Sequence, residues 1–274
     1  MSIKKTRDAA AWVTALVVAS LLTVLVPPMA QATFPGGNGL IAFTRAGSIW
    51  LINPDGTGLR ELTSGFDPAF SSDGSKVVFA ADVPGVASSE LFVINTDGTG
   101  RTRLTFNSSP DRDPSWSPDG TKIVFVANRS SESPTPAPNV EQIHVINSDG
   151  SGEMAFGFSG EHKRDPEFSP DGTKIAFSSD LSHPPTIFVA NADGTQVREV
   201  TEGVRLSWAP SGAQLAAESS TPGGGIFRIN PDGSGKSSIV DDAGNERSPV
   251  WSPSGDAIAF WADYGGSPRL FWGE

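Results

Sequence analysis

Short apolar runs recur along the chain after residue 38, and turn-forming residues bound each of them. Runs such as Ile123–Phe125 and Ile143–Ile146 have the β-branched and aromatic content that is typical of strands. Gly, Pro, Asn and Asp interrupt the apolar runs at intervals too short for helices. The pattern therefore predicts an all-β fold made of short strands and tight turns.

One motif returns along the chain and divides it into repeats. The segment from Asp113 to Phe125, which reads DPSWSPDGTKIVF, has near copies that end at Phe79 and Phe177 and weaker copies around Trp208 and Trp251. The aromatic positions 70, 116, 168, 208 and 251 lie 46, 52, 40 and 43 residues apart. Within the Ser-Pro-Asp-Gly segment, Pro presets φ, Asp bonds the local backbone and Gly accepts a positive φ, so the segment is a turn.

A second motif, a strand followed by an Asn-x-Asp-Gly turn, alternates with the first. It occurs at 49–56, 91–98, 143–150, 187–194 and 226–233, with a partial copy at 270–272. These turns lack the acidic ligands of a calcium loop, because Leu51 and Leu62 stand where those ligands belong. We therefore expect hairpin turns there.

Together the two motifs predict four strands in each repeat, which is the number of strands in a β-propeller blade. Residues 33–274 divided by a repeat of about 40 residues give about six blades. The tally of strands leaves the first blade without a clear innermost strand and the sixth without an outermost one. Thr33–Gly37 is a candidate for one of the missing strands, and a ring that ends early is the alternative.

The first 32 residues have the pattern of a secretory signal peptide. Three basic residues precede an apolar run from Ala9 to Val26, and Ala30-Gln31-Ala32 offers small residues where signal peptidase reads. We expect cleavage after Ala32, a propeller over residues 33–274, and a secreted or periplasmic protein without stable membrane insertion. An uncleaved N-terminal membrane anchor is the alternative, because an apolar run of 18 residues just spans a bilayer.

Composition and charge narrow the classes of function. Thirty Gly and 22 Pro exclude a helical bundle or a coiled coil, while 16 Phe and 7 Trp supply a core. The absence of Cys excludes disulfides and thiolate metal sites. The net charge of −11 becomes −13 without residues 1–32, which carry three basic residues and one acidic residue. A surface this acidic repels phosphate, so nucleic acid is not an expected partner.

The repeat resembles the WD40-like β-propeller repeat (PD40) of the TolB family, whose hallmark is an aromatic-Ser-Pro-Asp-Gly turn followed by Lys-Ile-x-Phe. The likeness extends roughly from Gly39 to the C-terminus. It implies an extracytoplasmic propeller of six four-stranded antiparallel blades that binds other proteins. TolB carries a small α/β domain ahead of its propeller, whereas residues 34–39 here lead straight into the first blade. We therefore expect a TolB-like protein other than TolB itself.

The candidate binding site comprises residues three and four positions before each blade aromatic. In a propeller they lead into the innermost strands and cluster around one mouth of the central channel. They predict a mixed ring of carboxylates and guanidiniums: Asp67, Arg112, Asp113, Arg164, Asp165, Arg205 and Arg247. Such a ring suits a protein partner or a polar ligand. The structural alternative is that each Asp caps a turn and each Arg pairs with the Asp of a neighbouring blade. We predict no cofactor, with a divalent cation in the channel as the alternative.

Catalysis is the competing class of function. The TolB-like fold also appears in pectate-type lyases that use histidines and a divalent metal, and as the gate of prolyl-oligopeptidase-like peptidases. Three scattered histidines are too few to specify a metal site. His162, on a loop that leads to the mouth, is the best acid–base candidate, whereas His144 alternates with apolar neighbours in a strand.

A peptidase of this kind requires a Gly-x-Ser-x-Gly nucleophile motif. The nearest segment, Gly157-Phe158-Ser159-Gly160, continues with Glu161 and does not match it, so a peptidase is not predicted. We therefore predict a monomeric, non-catalytic scaffold that binds a protein through one face or through the channel mouth. A metal-dependent carbohydrate lyase on the same fold is the alternative.

Overall fold

The computed structural model describes residues 39–53, 55–85, 88–129, 141–156, 162–180, 184–221, 224–241, 246–262 and 269–273. Their regular structure is entirely β, arranged as six antiparallel sheets in which each strand pairs with the next along the chain. We call these sheets blades 1 to 6 in chain order. The predicted all-β propeller is confirmed, and among the described residues blades 1 and 6 have three strands each and the other blades four.

The strands of the first three blades follow the predicted runs. Blade 1 contains β1 (Ile41–Arg45), β2 (Ser48–Ile52) and β3 (Arg60–Ser64). Blade 2 contains β4 (Phe66–Phe70), β5 (Lys76–Asp82), β6 (Ser89–Asn95) and β7 (Thr102–Arg103). Blade 3 contains β8 (Asp111–Trp116), β9 (Lys122–Ala127), β10 (Gln142–Asn147) and β11 (Met154–Ala155).

The last three blades repeat the same order. Blade 4 contains β12 (Lys163–Phe168), β13 (Lys174–Ser179), β14 (Thr186–Asn191) and β15 (Arg198–Glu202). Blade 5 contains β16 (Val204–Trp208), β17 (Leu215–Glu218), β18 (Ile226–Ile229) and β19 (Ser237–Val240). Blade 6 contains β20 (Arg247–Trp251), β21 (Ile258–Ala262) and β22 (Arg269–Gly273).

The core lies between blades. The innermost strand of each of blades 2 to 6 packs on the blade before it, so that β8 contacts β5 and β12 contacts β9. The blade aromatics serve this packing, because the indole Nε1 of Trp116 donates to the Ala69 carbonyl at 3.2 Å and that of Trp208 to the Glu167 carbonyl at 3.2 Å. One blade therefore supplies the surface on which the next one buries its apolar face.

The two turn motifs form hairpins at one end of the blades. In the first motif, the Asp119 carboxylate accepts hydrogen bonds from the Ser117 hydroxyl at 2.6 Å and the Thr121 amide at 3.0 Å. In the second, Asp97 accepts from the Thr99 amide at 2.8 Å. The Ser148 amide donates to the Thr121 carbonyl, which places both kinds of turn at the same end. The carboxylates of the Asn-x-Asp-Gly turns are engaged in these local bonds, as expected of hairpins.

The N-terminal predictions fall outside the described residues. These are the signal peptide over residues 1–32 and the candidate strand over Thr33–Gly37. In the part of the chain that the structure describes, no helix has the length and apolar character needed to cross a membrane.

Candidate binding site at the channel mouth

Each innermost strand of blades 2 to 6 begins with a β-bulge. The pairing of β8 with β9 slips between Arg112 and Ser115, and the corresponding slip occurs in β4, β12, β16 and β20. One residue of each bulge has a positive φ between 48° and 51°: Asp67, Asp113, Asp165, Arg205 and Ser248. Asp tolerates this left-handed conformation better than most residues, which suits three of the five positions.

The bulges determine which side chains face the centre of the molecule. Consecutive residues of a regular strand point to opposite faces, whereas a bulge re-aims one of them. Two consecutive side chains from each of four blades therefore line one cavity of about 980 Å³: Phe66, Asp67, Arg112, Asp113, Arg164, Asp165, Val204 and Arg205. We call this cavity the mouth.

The mouth brings together six of the seven residues named from the sequence, namely Asp67, Arg112, Asp113, Arg164, Asp165 and Arg205. The seventh, Arg247, is exposed at the corresponding bulge of β20 but does not line this cavity. The lining residues lie three and four positions before the blade aromatic in each of four repeats, because the bulge occurs at the same place in every one of them.

Three acidic residues of the mouth were missed by the sequence analysis. Asp82 and Asp180 lie at the ends of β5 and β13, the second strands of blades 2 and 4. Each follows the phenylalanine of its strand by three residues, so the repeat could have been used to predict both. Glu141 has no counterpart in other repeats, since it follows the segment 130–140 that is peculiar to blade 3. No sequence signal pointed to it.

The mouth carries more negative than positive charge, with six carboxylates and three guanidiniums among its lining residues. Asp67, Asp113 and Asp165 are half-buried, and this desolvation is the main cause that raises the pKa of each. The carboxylates of Asp67 and Asp165 raise the pKa of Asp113 further, while Arg112 opposes the rise. An additional positive charge in the mouth would therefore be stabilised.

Several carboxylates also lie beside a neighbouring blade. The nearby backbone of Asp113, in blade 3, partly offsets the rise in the pKa of Asp67, and the charge of Arg205, in blade 5, partly offsets that of Asp165. Between blades 5 and 6, the Ser248 amide donates a hydrogen bond to the Glu218 carboxylate at 3.3 Å. This bond satisfies the donor of a positive-φ residue. These carboxylates therefore lie close to the blade that follows their own.

The three arginines of the mouth differ in how they are held. Arg205 is paired with Glu218 of its own blade at 2.8 and 2.9 Å. Arg164 is more than half exposed and lies 3.9 Å from Glu141 and 3.8 Å from Asp180. Arg112 is exposed, and within the described residues it has no ion-pair partner. Arg112 and Arg164 are therefore the guanidiniums most open to a ligand.

The histidines lie in two different settings. His162 Nδ1 is 3.3 Å from Glu141 Oε2, which places the predicted acid–base candidate beside the mouth. His144 is buried against the Phe125 ring, 5.7 Å between centroids, in keeping with a structural place in its strand. His183 and residues 157–161 lie outside the described ranges. No group of three or more His, Asp or Glu side chains suited to a metal ion occurs among the residues described.

Comparison with known proteins agrees with this architecture. Residues 57–164 match the family model of the TolB β-propeller domain (PD40). A TolB homologue of Chlorobium luteolum is 29% identical over 109 residues, which are 39% of this chain and 25% of the homologue. The alignment thus spans about a quarter of that relative.

Solved structures extend the likeness over almost the whole chain at the level of the fold. TolB from Acinetobacter baumannii has a TM-score of 0.70 and 18% identity, over 99% of this chain and 68% of that one. An oligogalacturonate lyase in complex with manganese has a TM-score of 0.63 and 15% identity, over 88% and 75% of the two chains. The protein has a β-propeller fold, and its residues 57–164 match the TolB β-propeller domain.

Proposed function

We propose that this protein is a non-catalytic propeller that binds a protein partner at the mouth. The observation that carries the proposal is the convergence of bulged Asp and Arg residues from four consecutive blades on one cavity. Its volume of about 980 Å³ lies at the upper end of the roughly 300–1,000 Å³ of ligand sites. A cavity of this size accommodates an extended segment of a partner.

The charges of the mouth indicate the chemistry of that segment. Six carboxylates favour positive charge, and the exposed guanidiniums of Arg112 and Arg164 offer hydrogen bonds to carbonyl or carboxylate oxygens. We infer a partner segment that carries basic side chains and presents acceptor groups to the two arginines. No cofactor is needed for this function, and we expect the propeller to act as a monomer.

The N-terminal segment and the TolB-type repeats support a location in the periplasm or outside the cell. Basic residues followed by an apolar run are the pattern of export. The partner would accordingly be an envelope or extracellular protein.

Charge reversal at the mouth tests the proposal. The exported protein carrying Arg112→Glu and Arg164→Glu should capture its partner from envelope extract or culture supernatant at least about tenfold less well, because the carboxylates remove the guanidinium donors and repel the partner's acceptor oxygens. Capture is measured by affinity purification with quantitative mass spectrometry. Lys76→Glu with Lys122→Glu makes the same change of charge at exposed residues of the opposite end. Unchanged capture by the mouth variant, or an equal loss in the control, would contradict the proposal.

A lyase is the second candidate, favoured by the likeness in fold to an oligogalacturonate lyase and by His162 beside the mouth. Its test is cleavage of oligogalacturonate by the exported protein with added Mn²⁺, followed as unsaturated product. We expect no product, either from the natural sequence or from His162→Ala. Turnover by the natural sequence that His162→Ala abolishes would establish the lyase instead.

A further inference from the structure

Blade 4 has an ion pair at the mouth that the two preceding blades do not repeat. Arg164 lies at the start of β12, and Asp180 follows it by 16 residues, at the end of β13. Arg164 Nη2 and Asp180 Oδ2 are 3.8 Å apart, and both side chains line the mouth. These two positions of the repeat therefore bring one cation and one anion together.

Blades 2 and 3 each keep only one half of this pair. In blade 2 the two positions hold Phe66 and Asp82, so the carboxylate remains and a ring replaces the guanidinium. In blade 3 they hold Arg112 and Asn128, so the guanidinium remains and an amide replaces the carboxylate. Within the described residues neither Asp82 nor Arg112 has an ion-pair partner. The mouth therefore presents one unpaired carboxylate and one unpaired guanidinium, and they come from adjacent blades.

Other residues of the mouth do not replace the missing partners. Asn128 Oδ1 makes no hydrogen bond in the described part of the chain, so this amide does not hold Arg112. The charge of Arg112 partly offsets the raised pKa of Asp67 and of Asp113, yet neither carboxylate forms an ion pair with it. Asp82 and Arg112 are both exposed, so a ligand reaches them without displacing a protein side chain.

A third group beside Asp82 also lacks a partner. Ser88 lines the mouth and precedes Ser89, which pairs with Asp82 between β5 and β6. Ser88 is only 6% exposed, and its hydroxyl makes no hydrogen bond to any described residue. Buried hydroxyls are bonded in most native structures, so this one calls for a partner from outside the described chain. An ammonium group has three N–H donors, enough for both the Asp82 carboxylate and the Ser88 hydroxyl.

We propose that the mouth recognises a partner segment with one basic and one acidic side chain close together, the basic one paired with Asp82 and the acidic one with Arg112. This inference rests on the proposed function and specifies the partner's charges. The strand of Arg112, β8, packs on the strand of Asp82, β5. Packed sheets lie roughly 10 Å apart and an extended chain advances about 3.3 Å per residue, so the partner's two side chains should lie about two to four residues apart.

The first test measures peptide binding to the exported protein by isothermal titration calorimetry. The probes have blocked termini and carry one lysine and one glutamate separated by one, two or three alanines, and matched probes carry only the lysine or only the glutamate. At least one mixed peptide should bind about tenfold more tightly than its matched peptides, because it forms two ion pairs instead of one. Asp82→Asn should remove the advantage over the glutamate-only peptide. The proposal is overturned if no mixed peptide binds more tightly than its matched peptides.

The second test supplies the missing halves within the protein. Phe66→Arg with Asn128→Asp gives blades 2 and 3 the pair of blade 4, leaves the net charge unchanged, and introduces side chains similar in size to those replaced. Asp82 and Arg112 should then pair internally, so capture of the partner and binding of the mixed peptide should both fall at least about tenfold. Undiminished binding by this repaired protein would contradict the proposal.

The matched control adds one carboxylate and one cation at the opposite end. Ser211→Asp with Gln214→Lys copies Asp171 and Lys174 of blade 4 and should leave binding unchanged, so an equal loss in this control would also overturn the proposal. Because Phe66 packs on the core, the Tm of the repaired protein is measured as well. If that protein does not fold, Asp82→Asn decides the question in the peptide test.

Failure of this inference differs from failure of the proposed function. If Arg112→Glu with Arg164→Glu loses capture while the repaired protein keeps it, the mouth binds a partner by other contacts and only this inference is wrong. If both variants keep full capture, the proposed function is wrong as well.

Discussion

The middle blades and the terminal blades are built from nearly the same repeat, yet they are packed differently. Ile123, Phe125 and Trp208, in blades 3 and 5, are almost completely buried, and the Trp208 indole donates across to blade 4. In blade 6, Trp251 is slightly exposed and its Nε1 has no partner among the described residues. In blade 1, β1 has partly exposed apolar residues.

Most of the stability of a blade therefore comes from the apolar surface that it buries against adjacent blades. A single repeat cannot bury its apolar faces alone, so each interface between blades contributes separately. Among the described residues, the apolar side chains of the middle blades are more completely buried than those of β1. Variants at equivalent positions can therefore measure the difference directly.

The largest effect is expected at the blade tryptophans. Trp208→Ala should cost about 3–5 kcal/mol of unfolding free energy, because it leaves a cavity between two complete blades and frees the Glu167 carbonyl. Trp251→Ala should cost about 1–2 kcal/mol less, since its indole has no such bond. Urea unfolding followed by tryptophan fluorescence and circular dichroism measures both. Equal losses would remove the distinction between middle and terminal blades.

A smaller difference is expected between two turn glycines with nearly the same φ, 86° at Gly150 and 90° at Gly98. A Cβ at Gly150 would lie 2.9 Å from the Leu104 carbonyl of blade 2, whereas one at Gly98, beside blade 1, would meet nothing within 4 Å. Gly150→Ala should therefore cost about 1–2 kcal/mol more than Gly98→Ala, the price of overpacking. If thermal melts show the same loss for both, the middle interface is no tighter than the first.

The mouth should show an unusual dependence on pH. Because the folded-state pKa of Asp113 is raised, the folded protein binds more protons than the unfolded chain between pH 3.8 and the raised value. Stability from this group therefore falls as pH rises through that window. Asn also tolerates a positive φ, so Asp113→Asn removes the charge without straining the backbone. The variant should have a higher Tm at pH 7, by about 2–4 °C for each kcal/mol of unfavourable charge burial that it removes. Below pH 4 its Tm should differ little from that of the natural sequence. The prediction would be contradicted if the Tm of Asp113→Asn minus the Tm of the natural sequence were smaller at pH 7 than at pH 4.

The smallest effect is expected at the opposite end. Hydrogen bonds from Ser169 and Thr173 lower the pKa of Asp171, so its contribution exists above the unfolded value of 3.8 and is lost as pH falls through the folded one. Asp171→Ser, which copies Ser211 of blade 5, should cost about 0.5 kcal/mol at pH 7, since these bonds are mostly exposed. The loss should become smaller as pH falls below 3.8. A loss of the same size at neutral and at acid pH would show that the charge is not its cause.

Most of the fold and part of the site were predictable from the sequence because both repeat. Strands, turns and blade number follow from spacing, and so does the grouping of Asp113 with Asp67 and Asp165. The bulge was not predictable, since nothing in a local segment reveals which residue will take a positive φ. Glu141 was missed because it lies outside the repeat.

The sequence by itself determined the blade and the number of blades, because periodic turns and short apolar runs are local properties of the chain. Only the tertiary structure decided what the repeated residues face. The slip of the innermost strand of blade 3 turns Asp113 and Arg112 toward one cavity, and the Glu218 carboxylate of blade 5 accepts a hydrogen bond from the Ser248 amide of blade 6. These relations depend on distances between blades. Residues far apart in sequence acquire them only when the blades pack side by side.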